Sequence, residues 1–376
     1  MSFNLSDEKR GQIIGLLLLV VVFGSITFSI AYDNFESFSR ALETAAPPGD
    51  TADYLHAFFE PQDLLRRDGT LAYRDYRLAA PLLAHLVPDP PESIFRTAKR
   101  VDPLGLAVFK FATITALFNF ATCVLVYAIC RWFNLSRLLS LLGGALYSTL
   151  TFVVIVNGIP HVDSVFYFVF GLGAYAVLRK NLALILLSVL VGTFVKEAIF
   201  LLGVLALLLP DQIRFRIKVV AAMVPGALVY VAVRYVLLPS NHDYFTSGEF
   251  LPIVGVVLQN LGTLNGLEWV IMGFNFLWLP MAWALLRDGT DTVLMRWSLF
   301  LPILVVVTVL GGSDHFGRSL PLAFPVAIPL AMLGIRAMID RIEADETVAT
   351  PTAVSSENQM TGSLARADRG LSPEVP

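Results

Sequence analysis

Residues 182–209, LALILLSVLVGTFVKEAIFLLGVLALLL, determine how this chain is folded. Only Lys196 and Glu197 interrupt this apolar run, and basic residues flank it on both sides. As a single helix of about 28 residues it would be ~42 Å long and would carry both charges near the midplane of a bilayer, where each costs ~2.5–3.5 kcal/mol. We therefore predict a hairpin of two short helices, broken near Val195, whose tip lies in protein or in a water-filled cavity.

Apolar runs of similar character recur along the rest of the chain. They lie at 12–31, 105–130, 138–157, 162–178, 219–238, 268–286, 297–311 and 318–338. A run of about 20 residues spans a hydrocarbon core of ~30 Å. Apolar residues make up 56% of the 376 residues, and charged residues only 15%. We therefore predict an all-α polytopic transmembrane bundle that crosses the membrane about ten times, and we exclude a soluble protein.

The placement of Lys and Arg predicts the orientation of these spans. Short basic loops stay in the cytoplasm, so each basic cluster marks the inner side. The clusters are Lys9 with Arg10, Arg131 with Arg137, Arg179 with Lys180, Arg214 with Arg216 and Lys218, Arg287 with Arg296, and Arg336 with Arg341. We expect a protein of the cytoplasmic membrane with both termini inside, made of a transmembrane domain, 1–340, and a disordered cytoplasmic tail, 341–376, rich in small and polar residues.

With this orientation the polar chemistry falls on the outer side of the membrane. The outer segments carry all 5 histidines and include the long loop 32–104. Within that loop, residues 50–60 and 76–87 have apolar residues at helical spacing beside polar ones, which predicts helices lying along the membrane interface. The net charge of −3 gives no basic footprint for a nucleic acid. Function is therefore expected at the outer face.

Four segments of the sequence resemble one enzyme family. They are GDTADYL at 49–55, YRLAAPLLAHL at 76–86, VGTFVKE at 191–197 and GRSLPLAFP at 317–325. Together with the first span and the long outer loop, they resemble the polytopic GT-C glycosyltransferases over about residues 10–340. The resemblance implies a GT-C-like bundle that takes a sugar from a polyprenyl-phosphate-type lipid donor and transfers it to a lipid, glycan or protein acceptor at the extracytoplasmic face.

Such a transfer needs a carboxylate that takes the proton of the acceptor hydroxyl. We favour Asp50 or Asp53, because their i, i+3 spacing puts both on one face if 50–60 is helical. Asp50 also fits a purely structural role as the N-cap of that helix, within Gly49-Asp50-Thr51. Glu197 is the next candidate base. Lys196 and Glu197 have a structural alternative as well, as a mutually neutralising pair that shapes the hairpin.

The leaving phosphate of the donor needs cations that hold it as its charge develops. Arg318 is favoured, since it opens a span and its guanidinium can bind a phosphate with two hydrogen bonds, and Lys196 is expected to assist. Arg74 and Arg77 are weaker candidates for the same task. Tyr54, which follows the acidic motif, and the pair His161 and Asp163 are expected to contact substrate.

Three His/Asp pairs on separate outer segments form a second candidate site. They are His161 with Asp163, His242 with Asp243, and Asp314 with His315. Their nitrogen and oxygen atoms suit a divalent metal ion, which some glycosyltransferases of this fold use. The alternative is that these residues form turns and helix caps.

Two other classes of protein stay open at the level of sequence. A lipid or glycan transporter would need polar groups through both halves of the membrane and broken helices, and this chain has one predicted broken hairpin. A non-catalytic membrane subunit of an envelope-polymer assembly system is the other alternative.

Overall fold

The all-helical class is confirmed in a computed structural model of the protein. The structure describes residues 7–42, 49–60, 77–90, 103–210, 213–233, 255, 264–287, 289–310 and 319–349. Within these ranges the chain forms helices joined by short connections, and no strand occurs among them.

The helices have the following bounds in chain order. They are α1 (Asp7–Ala41), α2 (Gly49–Phe59), α3 (Ala79–His85), α4 (Pro103–Trp132), α5 (Arg137–Ser148), α6 (Thr151–Val156), α7 (Asp163–Leu178), α8 (Leu182–Thr193), α9 (Leu202–Leu208), α10 (Ile213–Val231), α11 (Leu264–Phe274), α12 (Trp278–Leu286), α13 (Thr292–Trp297), α14 (Phe300–Leu310) and α15 (Phe324–Ala349). Turns of 3₁₀ helix at Glu197–Leu201, Asn275–Leu277 and Leu320–Ala323 precede α9, α12 and α15.

Three of the described helical stretches are long and apolar enough to cross a membrane: Ile14–Ala41, Pro103–Trp132 and Leu320–Asp345. The first is mostly exposed to its surroundings, while the other two are mostly buried within the protein. The remaining apolar helices, such as Asp163–Leu178, are shorter. These helices indicate membrane association, and the expected number of about ten crossings stays a prediction.

Helix α4 is the centre of the bundle, where it packs against α1, α3, α5 and α7. Small residues allow these close approaches, as is common between membrane helices. On α5, a Cβ added to Gly144 would lie 2.3 Å from the ring of Phe23 in α1 and 2.8 Å from the carbonyl oxygen of Cys123 in α4. The contact between the three helices therefore requires glycine at this position.

The hairpin break predicted near Val195 is confirmed. Helix α8 ends at Thr193, and the next helical turn begins at Glu197. Between them Lys196 has extended backbone angles, with φ −166° and ψ 137°. The side chain of Ile199 fills the space over Gly192, where an added Cβ would lie 2.3 Å from it. Residues seven apart in one helix are ~10 Å apart along the axis, so this contact means that the chain folds back.

The second half of the hairpin runs back along α7. Lys196 lies at the first residue of α7, Asp163, with 2.9 Å between the Lys196 Nζ and Asp163 Oδ1 atoms. Further on, Leu202 packs where a Cβ on Gly173 would lie, ten residues farther along α7. Ten helical residues correspond to ~15 Å, so the chain returns along α7 after the break. The two charged residues thus lie at the turn of the hairpin, as predicted.

A polar connection after α6 ties α1 to α4. The Asn34 amide donates to the carbonyl oxygen of Asn157 at 2.6 Å, and the Asn157 amide donates to that of Thr27 at 2.9 Å. The Gly158 N–H donates to Thr115 Oγ1 of α4 at 2.9 Å. Buried backbone N–H and C=O groups that make no helical hydrogen bond need other hydrogen-bond partners, above all where water is absent. This connection leads directly into His161 and Asp163.

The predicted span 138–157 is divided in the structure. Helix α5 ends at Ser148 and α6 begins at Thr151. The Thr149 hydroxyl donates to the carbonyl oxygen of Leu146 at 2.9 Å, and Leu150 has extended backbone angles. The extended backbone of Leu150 therefore marks the break between α5 and α6.

The predicted span 268–286 is also divided, at Asn275. This residue has a φ of 50°, a left-handed conformation that asparagine tolerates better than most residues. Its side-chain oxygen accepts a hydrogen bond from Thr151 Oγ1 at 3.1 Å. The kink is therefore fixed by a side chain from a distant helix, which the local sequence does not reveal.

Part of the segment predicted to be a disordered tail, 341–376, is helical. The chain divides into two compact units, 1–334 and 335–376. In the second unit the helix continues to Ala349, so residues 341–349, which we expected to be disordered, are helical. Arg336 and Asp340 form an i, i+4 ion pair at 3.9 Å, and the following segment is rich in Glu and Ala, which are good helix formers. Residues 350–376 lie outside the described ranges.

Replacing Gly158 with Ala should destabilise the protein. Gly158 has a φ of +89°, and a Cβ there would lie 2.3 Å from the carbonyl oxygen of Ala31. The backbone conformation alone should cost ~1–3 kcal/mol for alanine. The matched control is Gly24→Ala in α1, where an added Cβ meets no atom within 4 Å. Thermal unfolding in detergent should show a lower Tm for Gly158→Ala only, and equal Tm values for the two variants would contradict the described turn.

Candidate functional site

The candidate site is built around the turn of the α8–α9 hairpin. The Lys196 ammonium forms an ion pair with Asp163 at 2.9 Å. The Asp163 side chain is 1% exposed and that of Lys196 22% exposed, so this pair is largely removed from solvent. Lys196 also lies over the ring of Phe166, one helical turn beyond Asp163, at 5.6 Å from its centroid. The first turn of α7 therefore supplies both an anion and an aromatic face to one cation.

The neighbouring residue, Glu197, pairs in a different direction. The Arg77 Nη2 atom donates to Glu197 Oε1 at 2.9 Å and to Oε2 at 3.2 Å. The Arg77 side chain is 4% exposed, whereas that of Glu197 is 39% exposed. The backbone holds the same segments together, because the Ala79 N–H donates to the carbonyl oxygen of Phe194 at 3.2 Å. The start of α3 is thus attached to the hairpin turn at two points.

Arg77, His161, Asp163, Lys196 and Glu197 together form what we call the tip cluster. Its two cations and two carboxylates come from three distant parts of the sequence. Lys196 and Glu197 each bind a residue from another part of the chain, and the alternative in which they neutralise each other stays a prediction. Ion pairs in such surroundings are expensive to form and are commonly found at functional sites of membrane proteins.

His161 joins the tip cluster to α2. Its Nδ1 atom accepts a hydrogen bond from the Asp163 backbone N–H at 3.2 Å, and it also lies 3.4 Å from Asp163 Oδ2. When Nδ1 accepts, the ring proton of a neutral imidazole lies on Nε2. The ring of Tyr54 meets the imidazole edge-on, with 5.7 Å between the ring centroids. Both side chains are buried.

Helix α2 carries the two predicted acidic residues on one face. Gly49–Phe59 is helical, so Asp50 and Asp53 are one turn apart, as the sequence predicted. The helix begins at Gly49, which puts Asp50 in its first turn, where a carboxylate is favoured next to the helix N-terminus. The side chain of Asp50 lies outside the described residues. A structural role at this helix end and a catalytic role therefore both stay open for Asp50.

Asp53 has an electrostatic environment suited to proton transfer. Burial raises the pKa of its carboxyl group, and the charges of His56 and Arg77 partly oppose that shift. The side chain is half-buried, next to the fully buried Tyr54. Because Arg77 belongs to the tip cluster, its influence on Asp53 links α2 electrostatically to the hairpin turn. Of the predicted bases, Asp53 combines an accessible carboxylate with a raised pKa.

Several predicted site residues lie outside the described residues. They are Arg74, His242, Asp243, Asp314, His315 and Arg318. The structure thus brings together Arg77, Tyr54, His161, Asp163, Lys196 and Glu197 from the predicted set, with Asp53 coupled to Arg77.

The proposed metal site can be assessed only at His161 and Asp163. Asp163 already has the Lys196 ammonium at 2.9 Å, and a second cation on the same carboxylate would be repelled. No group of three or more His, Cys, Asp or Glu side chains in the described ranges is arranged to hold a metal ion. The three-pair metal site stays a prediction.

Two contributors to the site were missed at the level of sequence. Phe166 supports Lys196 through its ring, and the carbonyl oxygen of Phe194 anchors the start of α3. The spacing of Asp163 and Phe166, three residues apart at a helix start, contained the signal for the first. Nothing in the sequence distinguishes the carbonyl group of Phe194 from its neighbours.

Comparison with known proteins does not identify the chain, since no protein-family model matches it and no curated protein does either.

Replacing Lys196 with Met should destabilise the protein more than an equivalent change at the surface. The substitution leaves the carboxylate of Asp163 buried without its cation, which typically costs ~3 kcal/mol or more. The control is Lys218→Met on the exposed side of α10. A double variant, Lys196→Met with Asp163→Asn, should recover much of the loss, as measured by thermal unfolding in detergent. Additive losses in the double variant would show that the two residues are not energetically coupled.

Proposed function

We propose that this protein is a membrane glycosyltransferase that uses a polyprenyl-phosphate-linked sugar as donor and modifies a lipid, glycan or protein acceptor at the extracytoplasmic face. The observation that carries the proposal is the tip cluster, which holds the mostly buried cations Arg77 and Lys196, together with the half-buried Asp53, whose raised pKa the charge of Arg77 partly opposes. This set supplies the two functions that such a transfer requires: a base for the acceptor and cations for the leaving phosphate. The resemblance of four segments to the GT-C glycosyltransferases supports the same conclusion.

The proposed reaction is a substitution at the anomeric carbon of the donor sugar. The acceptor hydroxyl oxygen forms a bond to that carbon as the bond from the carbon to the phosphate oxygen breaks. The electron pair of the broken bond stays with the phosphate, which leaves as polyprenyl phosphate. The hydroxyl proton passes to the base. No redox change occurs, and no further reactant is needed.

Asp53 is the proposed base. A carboxylate in water is a weak base, and partial burial raises its affinity for a proton while leaving it accessible. The carboxylates of the tip cluster are less suitable, because Asp163 and Glu197 each bind a cation within 3.0 Å. A carboxylate that binds a cation this closely is a weaker proton acceptor.

Arg77 and Lys196 are the proposed cations for the leaving phosphate, with Arg318 as a further predicted contact. Arg77 precedes α3 and Lys196 lies at the hairpin turn. Both are mostly buried, where a fixed cation stabilises developing negative charge more than it would in water. A lipid-linked donor would deliver its phosphate close to the surface of the bilayer. The apolar helices of the protein are consistent with such a substrate.

Transport of a lipid or glycan is a second candidate function, and the broken α8–α9 hairpin favours it. Transporters often place their binding sites at interrupted membrane helices. The two functions differ in their product. A transporter changes the position of its substrate and leaves its covalent structure intact, so chemical turnover in detergent, where no compartments exist, distinguishes the two.

Replacing Asp53 with Asn should lower the rate of sugar transfer by roughly 10²–10⁴-fold, because asparagine keeps the shape but cannot accept the proton. The assay is transfer from a panel of polyprenyl-phosphate sugars to acceptors in an extract of the native membrane. The matched control is Glu60→Gln at the exposed end of α2, which should retain full activity. If Asp53→Asn also retains full activity, the base is elsewhere, and Asp50 and Glu197 are then the candidates.

The pH dependence of transfer should report on Asp53. Since its pKa is raised, activity should decline on the acidic side at a higher pH than an ordinary aspartate would give. The charge of Arg77 lowers this pKa, so Arg77→Gln should move the acidic limb of kcat/KM to still higher pH. A limb that stays in place in Arg77→Gln would show that another group titrates.

A further inference from the structure

The two ion pairs of the tip cluster differ in how easily they can open. Asp163 is 1% exposed, and its Oδ1 atom binds the Lys196 ammonium at 2.9 Å. Glu197 is 39% exposed and has a longer side chain. Moving Glu197 away from Arg77 would bring its carboxylate toward solvent, whereas moving Asp163 would leave a charge in the interior. The Arg77–Glu197 pair is therefore the one that can exchange.

The carboxylate of Glu197 occupies the position that an anionic ligand of Arg77 would take. Arg77 is 4% exposed, and the more exposed Glu197 lies against it. Both hydrogen bonds come from one nitrogen, Nη2, at 2.9 and 3.2 Å. A phosphate can accept two parallel bonds from a guanidinium, which is a stronger arrangement. A phosphate that binds Arg77 with two hydrogen bonds can therefore displace the carboxylate of Glu197.

We infer that Glu197 is an internal substitute for the donor phosphate: it neutralises Arg77 in the empty protein, gives way when the lipid-linked phosphate binds, and returns to expel the product. This inference rests on the proposed function and concerns how the same site binds and releases its lipid.

The exchange between Glu197 and phosphate at Arg77 would speed the release of the product. The sugar donor is a phosphodiester with one negative charge, whereas the product, polyprenyl phosphate, is a monoester that carries up to two. Arg77 alone would hold the product more tightly than the donor, since the attraction grows with charge. A carboxylate that competes for the same guanidinium weakens both complexes and shortens the lifetime of the product complex. Release of product is often the slow step of an enzyme.

The test is the affinity of the purified full-length protein for polyprenyl phosphate in lipid nanodiscs. Glu197→Gln should bind about tenfold more tightly than the wild type, because the competing charge is removed, and Arg77→Gln at least tenfold more weakly. The matched control is Asp89→Asn, which removes an exposed carboxylate, 71% accessible, from the mostly buried Lys110 at a separate ion pair. Its affinity should equal that of the wild type.

Two further ligands define what is recognised. The uncharged polyprenol should bind all variants equally, since it lacks the group that competes with Glu197. Inorganic phosphate should respond in the same direction as polyprenyl phosphate but bind far more weakly. If inorganic phosphate binds as tightly as the lipid, the ligand is a free anion, and the inference of a lipid-linked phosphate is overturned.

A second variant and a stability measurement distinguish competition at Arg77 from a folding defect. Glu197→Gln removes the carboxylate that pairs with the buried Arg77, so its Tm without ligand should fall, and polyprenyl phosphate should raise that Tm more than it raises the wild-type value. Glu197→Asp retracts the carboxylate by one methylene group and should give an affinity between those of the wild type and Glu197→Gln. A purely structural role for Glu197 would lower the Tm without increasing the response to the ligand.

The outcomes separate this inference from the proposed function. If Arg77→Gln weakens binding while Glu197→Gln leaves it unchanged or weaker, Glu197 does not compete and the inference is overturned, although the donor site stands. If the wild type and Arg77→Gln both fail to bind polyprenyl phosphate, the inference and the proposed donor class fall together.

Discussion

The rest of the site depends on one constraint: a charge within an apolar helical bundle must have a partner. The ion pair of Lys196 and Asp163 satisfies this constraint at the start of α7. It requires the chain after α8 to stop at the level of Asp163, turn, and return along α7, since a continuous helix would carry Lys196 past its partner. This turn also places Glu197 in contact with Arg77 and brings the start of α3 against the hairpin. One buried carboxylate thus organises segments that are far apart in the sequence.

The hairpin could be predicted from the sequence because its cause is local. An apolar run that is too long for one span and has two charges in its middle favours a broken hairpin over a continuous helix in a membrane. The observed break lies next to those two charges. Helices at 50–60 and 76–87 were predicted for the same kind of reason, from apolar residues at helical spacing, and the structure has helices at 49–59 and 79–85.

The partners of the charges could not be predicted. Lys196 and Glu197 are adjacent in sequence, and the sequence left open both a functional role and mutual neutralisation. Their actual partners, Asp163 and Arg77, are 33 and 120 residues away, and their identity depends on tertiary packing. The kink at Asn275 likewise depends on tertiary packing, since its side chain binds Thr151 of a distant helix. Arg77 was ranked below Arg318 because nothing near it in the sequence indicates its burial.

The extended backbone at Lys196 explains how two neighbouring residues reach opposite partners. In a strand-like conformation consecutive side chains point to opposite sides, so Lys196 faces α7 while Glu197 faces the segment before α3. The connection after α8 therefore directs its two charged side chains to opposite sides. Inserting or deleting one residue between Thr193 and Lys196 would turn both charges away from these partners. The length of this connection is therefore constrained more strictly than the identity of Phe194 or Val195, and natural variation here should preserve spacing before composition.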